Sequence, residues 1–399
     1  MRLSYVIISF NRCDTLRHTL SLLPDRTTLP AGEWDIWVID NASTDGTDAM
    51  MKSEFPEVNY HRLPANEGMP ARNYAFDRAT GEYIVCLDDD SYPANSEAIE
   101  DMLAYMDSAP DVAALVAHVQ LPDGTPEAPA FPSVLLGGAT CFRSSVLKEV
   151  GGFSREFFRQ AEEYELSFRI WGAGYRIDRF EDIVFRHDKV SGPGRASDLV
   201  HRMDVRNNMI VAERFLPQPL RQAYREDWSQ RYSAIAEHAD HAAAAKKGRR
   251  EGKWRGLKEM VRGRQVLSDV SIERIFQFQK QTDQVIAWAK WNGIQTVCVA
   301  DFSKNLFATM NACARAGLKI VKIIDDNPAF WGMSYRGIPI VPSNTVAPES
   351  IDGIVMSNIN PAQIDRRLDS LRSKFAGPIL RLWQGKKFRT APSQSTIAA

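Results

Sequence analysis

Short apolar runs rich in β-branched or aromatic residues recur through the first half of the chain, at Leu3–Ser9, Trp34–Asp40, Val58–Leu63 and Glu82–Leu87. Between them lie Cys13–Leu23, Thr44–Phe55 and Met69–Ala79, whose apolar positions follow helical spacing. Strands alternating with helices of this length predict a parallel sheet covered on both faces. Ligands of such sheets sit beyond the C-terminal ends of the strands. The first, second and fourth strands run into polar residues: Ser9-Phe10-Asn11-Arg12, Asp40-Asn41-Ala42-Ser43 and Asp88-Asp89-Asp90. These loops are expected to converge on one crevice.

After Asp90 the pattern loosens. Asn95–Ser108 reads as a helix, Val112–Val119 as a strand, 122–132 as a Pro-rich loop and Ala161–Gly174 as a helix. Tyr175–Asp178 and Asp182–His187 read as two short strands. From about Phe215 to Trp291 strand signals vanish and helices are expected. Alternation returns at Gly293, with strands at Thr296–Ala300, Lys319–Ile324, Ile338–Val341 and Ile351–Ser357. Asn360-Pro361 is expected to open a helix, with Asn as N-cap and Pro at its first position. The expected organisation is an α/β domain over 1–215, a helical connector over 216–291, a smaller α/β domain over 292–389 and a disordered tail over 390–399.

Composition narrows the class. Of 399 residues, 44% are hydrophobic and 25% charged, as in an ordinary globular protein. The net charge of −1 offers no global basicity for nucleic acid. Five cysteines without a CxxC pair argue against structural zinc and a disulfide framework and suit a reducing cytosol. No apolar run approaches the roughly 18 residues of a membrane-spanning helix, so a cytoplasmic protein is expected. One local exception is 246–264, with nine basic and two acidic residues. Trp254, Leu257, Met260 and Val261 lie there near helical spacing. Two readings stand: peripheral contact with the inner face of a membrane, or a solvated basic helix packed on its own protein. Gly248, Gly252 and Gly256 would weaken such a helix if it stood free.

Three consecutive carboxylates at the end of an apolar strand repel one another unless a cation or hydrogen-bond donors compensate them. Asp88-Asp89-Asp90 therefore suits Mn²⁺ or Mg²⁺ holding a ligand's phosphates. A solvated acidic turn is the plainer alternative for the triplet alone. Its context is more specific. Phe10-Asn11-Arg12, Asp40 through Thr47, Asn66-Glu67-Gly68-Met69-Pro70-Ala71-Arg72-Asn73 and Leu87 through Asp90 occur in order. Gly137-Gly138-Ala139, Val150-Gly151-Gly152-Phe153, Ala161 through Arg169 and Gly174-Tyr175-Arg176-Ile177 follow. The ordered set resembles family 2 glycosyltransferases, which have the GT-A fold, over about residues 1–215.

The resemblance implies roles. A nucleotide-diphosphate-sugar donor would meet Ser9, Phe10, Asn11, Arg12, Asp40, Asn41, Asn66, Gly68, Arg72, Asp88 and Asp89. Asp40 matches the acid that accepts the base N3–H and so selects uracil or thymine; its plainer reading is the cap of a turn. Arg72 would orient the diphosphate. Asp88 and Asp90 match the acids of the DXD motif, and His187 matches a histidine that completes the metal site. Glu163 aligns with the second acid of the family's ED-type motif, the general base of inverting members. A sugar hydroxyl is a poor nucleophile, and a carboxylate within reach takes its proton during attack. Glu stands here where the family usually has Asp, so Glu162 shares the candidacy. The implied reaction is inverting transfer from a UDP- or dTDP-sugar to a saccharide or lipid-linked glycan in surface polysaccharide assembly. A non-catalytic nucleotide-sugar-binding scaffold is the alternative.

Ile323-Ile324-Asp325-Asp326-Asn327-Pro328 and Gly337-Ile338-Pro339-Ile340 resemble Rossmann-like domains of sugar-nucleotide and polysaccharide-processing proteins. A dinucleotide site needs a Gly-rich turn after the first strand. Ala300-Asp301-Phe302-Ser303 stands there instead, so no NAD is expected, and packing, homo-oligomerisation or acceptor recognition are the roles considered.

Overall fold

The computed structural model describes residues 1–189 and 197–389; the tail expected to be disordered, 390–399, lies outside them. The chain divides into two compact units. One comprises Met1–Ala128, Val134–Ser191 and Gly385–Ala399, the other Pro129–Ser133 and Gly192–Gln384.

The first unit is built on a nine-stranded sheet. Its strands are β1 (Leu3–Ser9), β2 (Trp34–Asp40), β3 (Asn59–Arg62), β4 (Tyr83–Asp88), β5 (Ser91–Pro93), β6 (Val112–Gln120), β7 (Pro126–Glu127), β8 (Ala139–Arg143) and β9 (Arg176–His187). The order is β3-β2-β1-β4-β8-β6-β9-β5, with β7 on β6. β1 is buried along almost its whole length, between parallel neighbours β2 and β4. On one face, Leu3, Tyr5 and Ile7 meet Leu16, Leu20, Met50 and Met102 from flanking helices. Each such side chain contributes about 1.5–3 kcal/mol by leaving water.

Register positions the loops. Ser9 stands level with Asp40, and Ile8 with Asp88, so the polar strand ends share one edge. Beyond β4 the sheet becomes mixed: β8 runs antiparallel to β4 and β6. β5 pairs antiparallel with β9, setting Ser91 opposite His187.

Several sequence expectations need correction. Tyr175–Asp178 and Asp182–His187 form one strand, β9. Its pairing with β6 shifts register between Val116 and His118, and that irregularity breaks the alternation in the sequence. Met69–Ala79 is not one helix but a 3₁₀ turn, Met69–Arg72, followed by a short α-helix, Asn73–Phe76. The helix expected from Thr44 starts at Thr47, because Gly46 at φ 91° makes a left-handed turn first. Asn360 Oδ1 caps a turn through Ala362 N at 2.8 Å, and the helix begins only at Ile364. β8 and the helices Ser144–Val150 and Asp198–Phe215 were not anticipated.

Among the described residues the second unit holds seven α-helices: Asp198–Phe215, Leu220–His238, Ala242–Arg262, Asp269–Phe276 and Phe278–Asn292 precede its sheet, and Leu306–Arg315 and Ile364–Arg372 fall between its strands in sequence. Its six-stranded sheet comprises β10 (Thr296–Ala300), β11 (Lys319–Ile324), β12 (Ser334–Tyr335), β13 (Ile338–Val341), β14 (Gly353–Met356) and β15 (Ile379–Arg381). The order is β12-β13-β11-β10-β14-β15, parallel except where β12 meets β13. At the β10 end, Asp301 has φ 75° and pairs with Arg367 at 2.7 Å. Ser303 Oγ lies 2.8 Å from Ser357 Oγ, and Asp325 accepts from Phe302 N at 2.7 Å. Polar groups at this sheet edge thus bond to one another. In the helical layer, Arg206, Asn207 and Asn208 are buried, and Lys304 Nζ donates to Asn208 Oδ1 at 2.6 Å. That triplet is structural.

Candidate active site

Loops after β1 and β2 are knitted together. Asn11 sits at φ 54°, its N–H donates to Ser43 Oγ at 2.9 Å, and its Oδ1 accepts from Thr44 N at 2.7 Å. Phe10 is exposed at the loop tip. Asp40 is fully buried; Oδ1 accepts from Ser43 N and Oδ2 from Tyr60 Oη, both at 2.7 Å. Asn41 holds the next loop, with Nδ2 on Gly68 O at 3.0 Å and Oδ1 on Glu67 N at 2.9 Å. Asn66 Oδ1 accepts from Gly68 N at 2.9 Å, and Gly68, at φ 68°, leaves no room for a Cβ against Phe158. A cleft of about 670 Å³ opens beside Asn11, Arg12, Asp45 and Gly46, but Asp88, Asp90 and Glu163 do not line it.

The three acids after β4 face different ways. Asp89 is buried, accepts from Ser9 Oγ at 2.9 Å and pairs with Arg12 at 3.1 Å. Burial pushes its carboxyl up to about 7 despite Arg12. Asp88 Oδ1 accepts from Arg72 Nη2 at 2.6 Å. Arg72 is fully buried and also donates to Leu87 O at 2.9 Å, so it is anchored to the strand end. Asp90 pairs with Arg12 at 2.7 Å and with His187 Nε2 at 3.0 Å. Burial acts to raise the Asp90 carboxyl, but His187 and Arg12 outweigh it and hold it below its ordinary value.

Asp88, Asp90 and His187 each offer a ligand atom, all within 4.8 Å of one another. Two carboxylates and an imidazole suit Mn²⁺ or Mg²⁺. The other ring nitrogen of His187, Nδ1, lies 2.6 Å from Glu127 Oε2. Burial lowers the imidazole's basicity, but Asp90 and Glu127 overcome this and carry its pKa up to about 10. Nothing local in the sequence marks Glu127. It lies in the Pro-rich stretch, with no periodicity to single it out, and 60 residues from its partner.

Glu162 and Glu163 open the helix Glu162–Gly172. The preceding Gln160 and Ala161 both have positive φ, 70° and 61°, which turns the chain sharply into the helix. Such backbone costs about 1–3 kcal/mol per residue and clusters at functional sites. Glu163 Oε1 accepts from Gly137 N at 2.6 Å. The adjacent Gly138 abuts Asp88: a Cβ there would lie 2.5 Å from Asp88 Oδ2. Consecutive glycines thus bring Glu163 and Asp88 to one short segment. Burial, then the neighbouring Glu162 charge, push Glu163 up to about 8, against the lowering bond from Gly137. Arg179, like Glu163 half-buried, feels the Glu163 charge, although desolvation brings its own pKa down to about 10.

Other motif residues support the site mechanically. Asn73 brackets Phe153 with Nδ2 on its carbonyl at 2.7 Å and Oδ1 on its N–H at 2.8 Å. Glu165 pairs with Arg169 at 2.7 Å, and Arg169 donates to the carbonyls of Val150, Gly151 and Gly152. Glu165 is part of that clamp.

Residues 4–145 match the family model described as Glycosyl transferase family 2. A family 2 glycosyltransferase domain thus stands at the N-terminus, at residues 4–145. Its sheet has the α/β arrangement of the GT-A fold, followed by a helical region and a second, smaller sheet. Curated relatives include the poly(ribitol-phosphate) beta-N-acetylglucosaminyltransferase TarS of Staphylococcus aureus strains Mu50 and MW2, each 24% identical over 245 residues. The alignment covers 57% of this chain but only 42% of the relative, so the chain spans less than half the length of these relatives. Among solved structures, S. aureus TarS 1–349 in complex with UDP-GlcNAc is 16% identical with a TM-score of 0.49, covering 85% of this chain and 98% of that one. The mannosyltransferase PcManGT of Pyrobaculum calidifontis, in complex with GDP-Man and Mn²⁺, is 19% identical with a TM-score of 0.45, covering 68% and 86%. Among the described residues no helix is long and apolar enough to cross a membrane.

Proposed function

We propose that the family 2 domain transfers a sugar, with inversion, from a UDP- or dTDP-sugar to a saccharide or lipid-linked glycan acceptor. The observation that carries this reading is the pair Gly137-Gly138, which joins the Glu163 carboxylate to the Asp88, Asp90 and His187 group. The names of the S. aureus relatives support a poly(ribitol-phosphate)-type acceptor and an N-acetylglucosamine-type donor.

Asp88, Asp90 and His187 would hold the divalent cation. The chemistry supplied by Mn²⁺ or Mg²⁺ at these side chains is charge neutralisation of the diphosphate leaving group. Glu127 fixes the His187 ring, accepting Nδ1–H so that Nε2 presents its lone pair. Arg72 holds Asp88 in place from the buried side. Arg12, which pairs with Asp89 and Asp90, would meet the donor phosphates. Glu163, aimed by Gly137 N–H, accepts the proton of the acceptor hydroxyl as that oxygen bonds the anomeric carbon and the diphosphate departs. A single displacement from the opposite face inverts the anomeric centre.

A donor panel read by thermal shift, with Mn²⁺ and with chelator, tests the reading. The correct nucleotide sugar raises the melting temperature only with the cation, by mass action. Release of free nucleoside diphosphate that needs both donor and acceptor separates an enzyme from a binding scaffold. No stabilisation by any nucleotide sugar refutes both.

A further inference from the structure

We propose that the outward face of the helix Ala242–Arg262 docks on an anionic lipid bilayer. The helix's inner face is made of glycines. A Cβ on Gly248 would strike the Arg202 carbonyl, and one on Gly252 or Gly256 would crowd Met209 or Glu213, all on the helix Asp198–Phe215. This close approach fixes the rotation of the helix about its axis. It also answers the instability of a free-standing glycine-bearing helix, because packing supplies what propensity lacks.

Rotation so fixed sends one stripe outward. Trp254, Leu257 and Val261, three and four residues apart, are 54%, 60% and 89% exposed. Large apolar side chains exposed together on one helix face mark a contact surface rather than ordinary surface scatter. Charge is sorted by the same packing. The segment's acids both turn inward: Glu251 pairs with Arg202 at 2.8 Å and Glu259 with Arg214 at 2.9 Å. Lys246, Lys247, Arg250, Lys253, Lys258 and Arg262 stay exposed. Lys258 Nζ lies 3.7 Å from the centre of the Trp254 ring.

An apolar stripe with an aromatic residue, rimmed by lysine and arginine and cleared of acids, matches a bilayer interface on both counts. Acyl chains take the stripe and anionic headgroups the rim. A soluble polyanion would use only the cations and leave the stripe in water. A protein partner would need acidic groups spaced to the rim, whereas lipid headgroups adjust laterally.

Co-sedimentation of the full chain with vesicles tests this. Phosphatidylcholine vesicles are compared with vesicles in which roughly a third of the lipid is phosphatidylglycerol. The chain should pellet with the anionic vesicles, not with the neutral ones, and less at high salt. Lys247→Gln with Lys258→Gln should lower the partition coefficient by roughly 25-fold, about five-fold per charge. Leu257→Ser with Val261→Ser should lower it as well, with the melting temperature unchanged because both positions are exposed. Pelleting with neither vesicle, or equally with both, overturns the proposal. So does vesicle binding that survives both double variants. Binding of soluble polyphosphate that ignores Leu257→Ser with Val261→Ser, without vesicle binding, makes the face a polyanion site and likewise overturns it.

Discussion

Replacing Glu163 by glutamine isolates the proton-accepting role from everything else the side chain does. Glutamine keeps the length and one carbonyl oxygen, so the 2.6 Å bond from Gly137 N–H survives and the segment beside Asp88 stays in place. What disappears is the basic site. Positioned general bases contribute about 10²–10⁴-fold in rate, or roughly 3–5 kcal/mol. We expect kcat to fall within that range, with donor affinity and cation dependence nearly unchanged. The pH profile adds an independent sign. With its pKa at about 8, Glu163 is mostly protonated at neutral pH, so wild-type kcat should climb with pH and level off above about 8. The Gln variant should lack that limb. Stability moves oppositely. The ordinary carboxyl of the unfolded chain, near 4.5, binds fewer protons than the native one between 4.5 and about 8, so native stability declines across that window as pH rises. Glu163→Gln should therefore raise the melting temperature more at pH 8 than at pH 5. The assay is nucleoside diphosphate release under saturating donor, beside thermal melts at both pH values. A Gln variant with wild-type kcat refutes the role. An inactive Glu162→Gln beside an active Glu163→Gln moves it one residue back.

Three other outcomes are expected. Asp90→Ala should abolish Mn²⁺-dependent donor binding in isothermal titration while the fold persists by circular dichroism; binding at wild-type affinity in chelator refutes the cation site. Glu127→Gln, which keeps an acceptor oxygen but loses the charge on His187, should weaken cation affinity about 10–100-fold, as second-layer partners of metal-bound histidines do; unchanged affinity for Mn²⁺ means Glu127 only packs there. Gly248→Ala should lower stability by about 1–3 kcal/mol in denaturant unfolding, because the added carbon meets the rigid Arg202 backbone rather than a movable side chain; a neutral effect would mean that the two helices separate easily.

What was legible in the sequence followed from periodicity and local chemistry. β1 and β4 are buried almost throughout, β2 only in its last three residues, and their polar ends align by parallel register. The family resemblance implies that Asp88, Asp90 and His187 meet, and their ligand atoms do lie within 4.8 Å of one another, with β5 paired to β9. Elements held by polar burial were harder to read. The helix Asp198–Phe215 buries Arg206, Asn207, Asn208 and Glu213, which interrupt any apolar stripe. β9 hides an irregularity inside one strand. Glu127 and the Gly137-Gly138 pair owe their importance to distant partners, and no local pattern carries that information.

The last described residues make the chain a loop in the sense of polymer topology. After the second unit, Gly385 to Arg389 return to the first: Phe388 stacks edge-on against Tyr105 and Phe180, and its N–H bonds Asp182 at 2.7 Å. The second unit, Pro129–Ser133 and Gly192–Gln384, is thus inserted within the sequence of the first rather than appended to it. A chain cut before Gly385 to isolate the first unit removes an aromatic plug from its own core. It also frees the strand that carries His187, since Lys386 O accepts from Glu181 N at 2.8 Å. Dissecting the protein by truncation would confuse loss of the second unit with injury to the first.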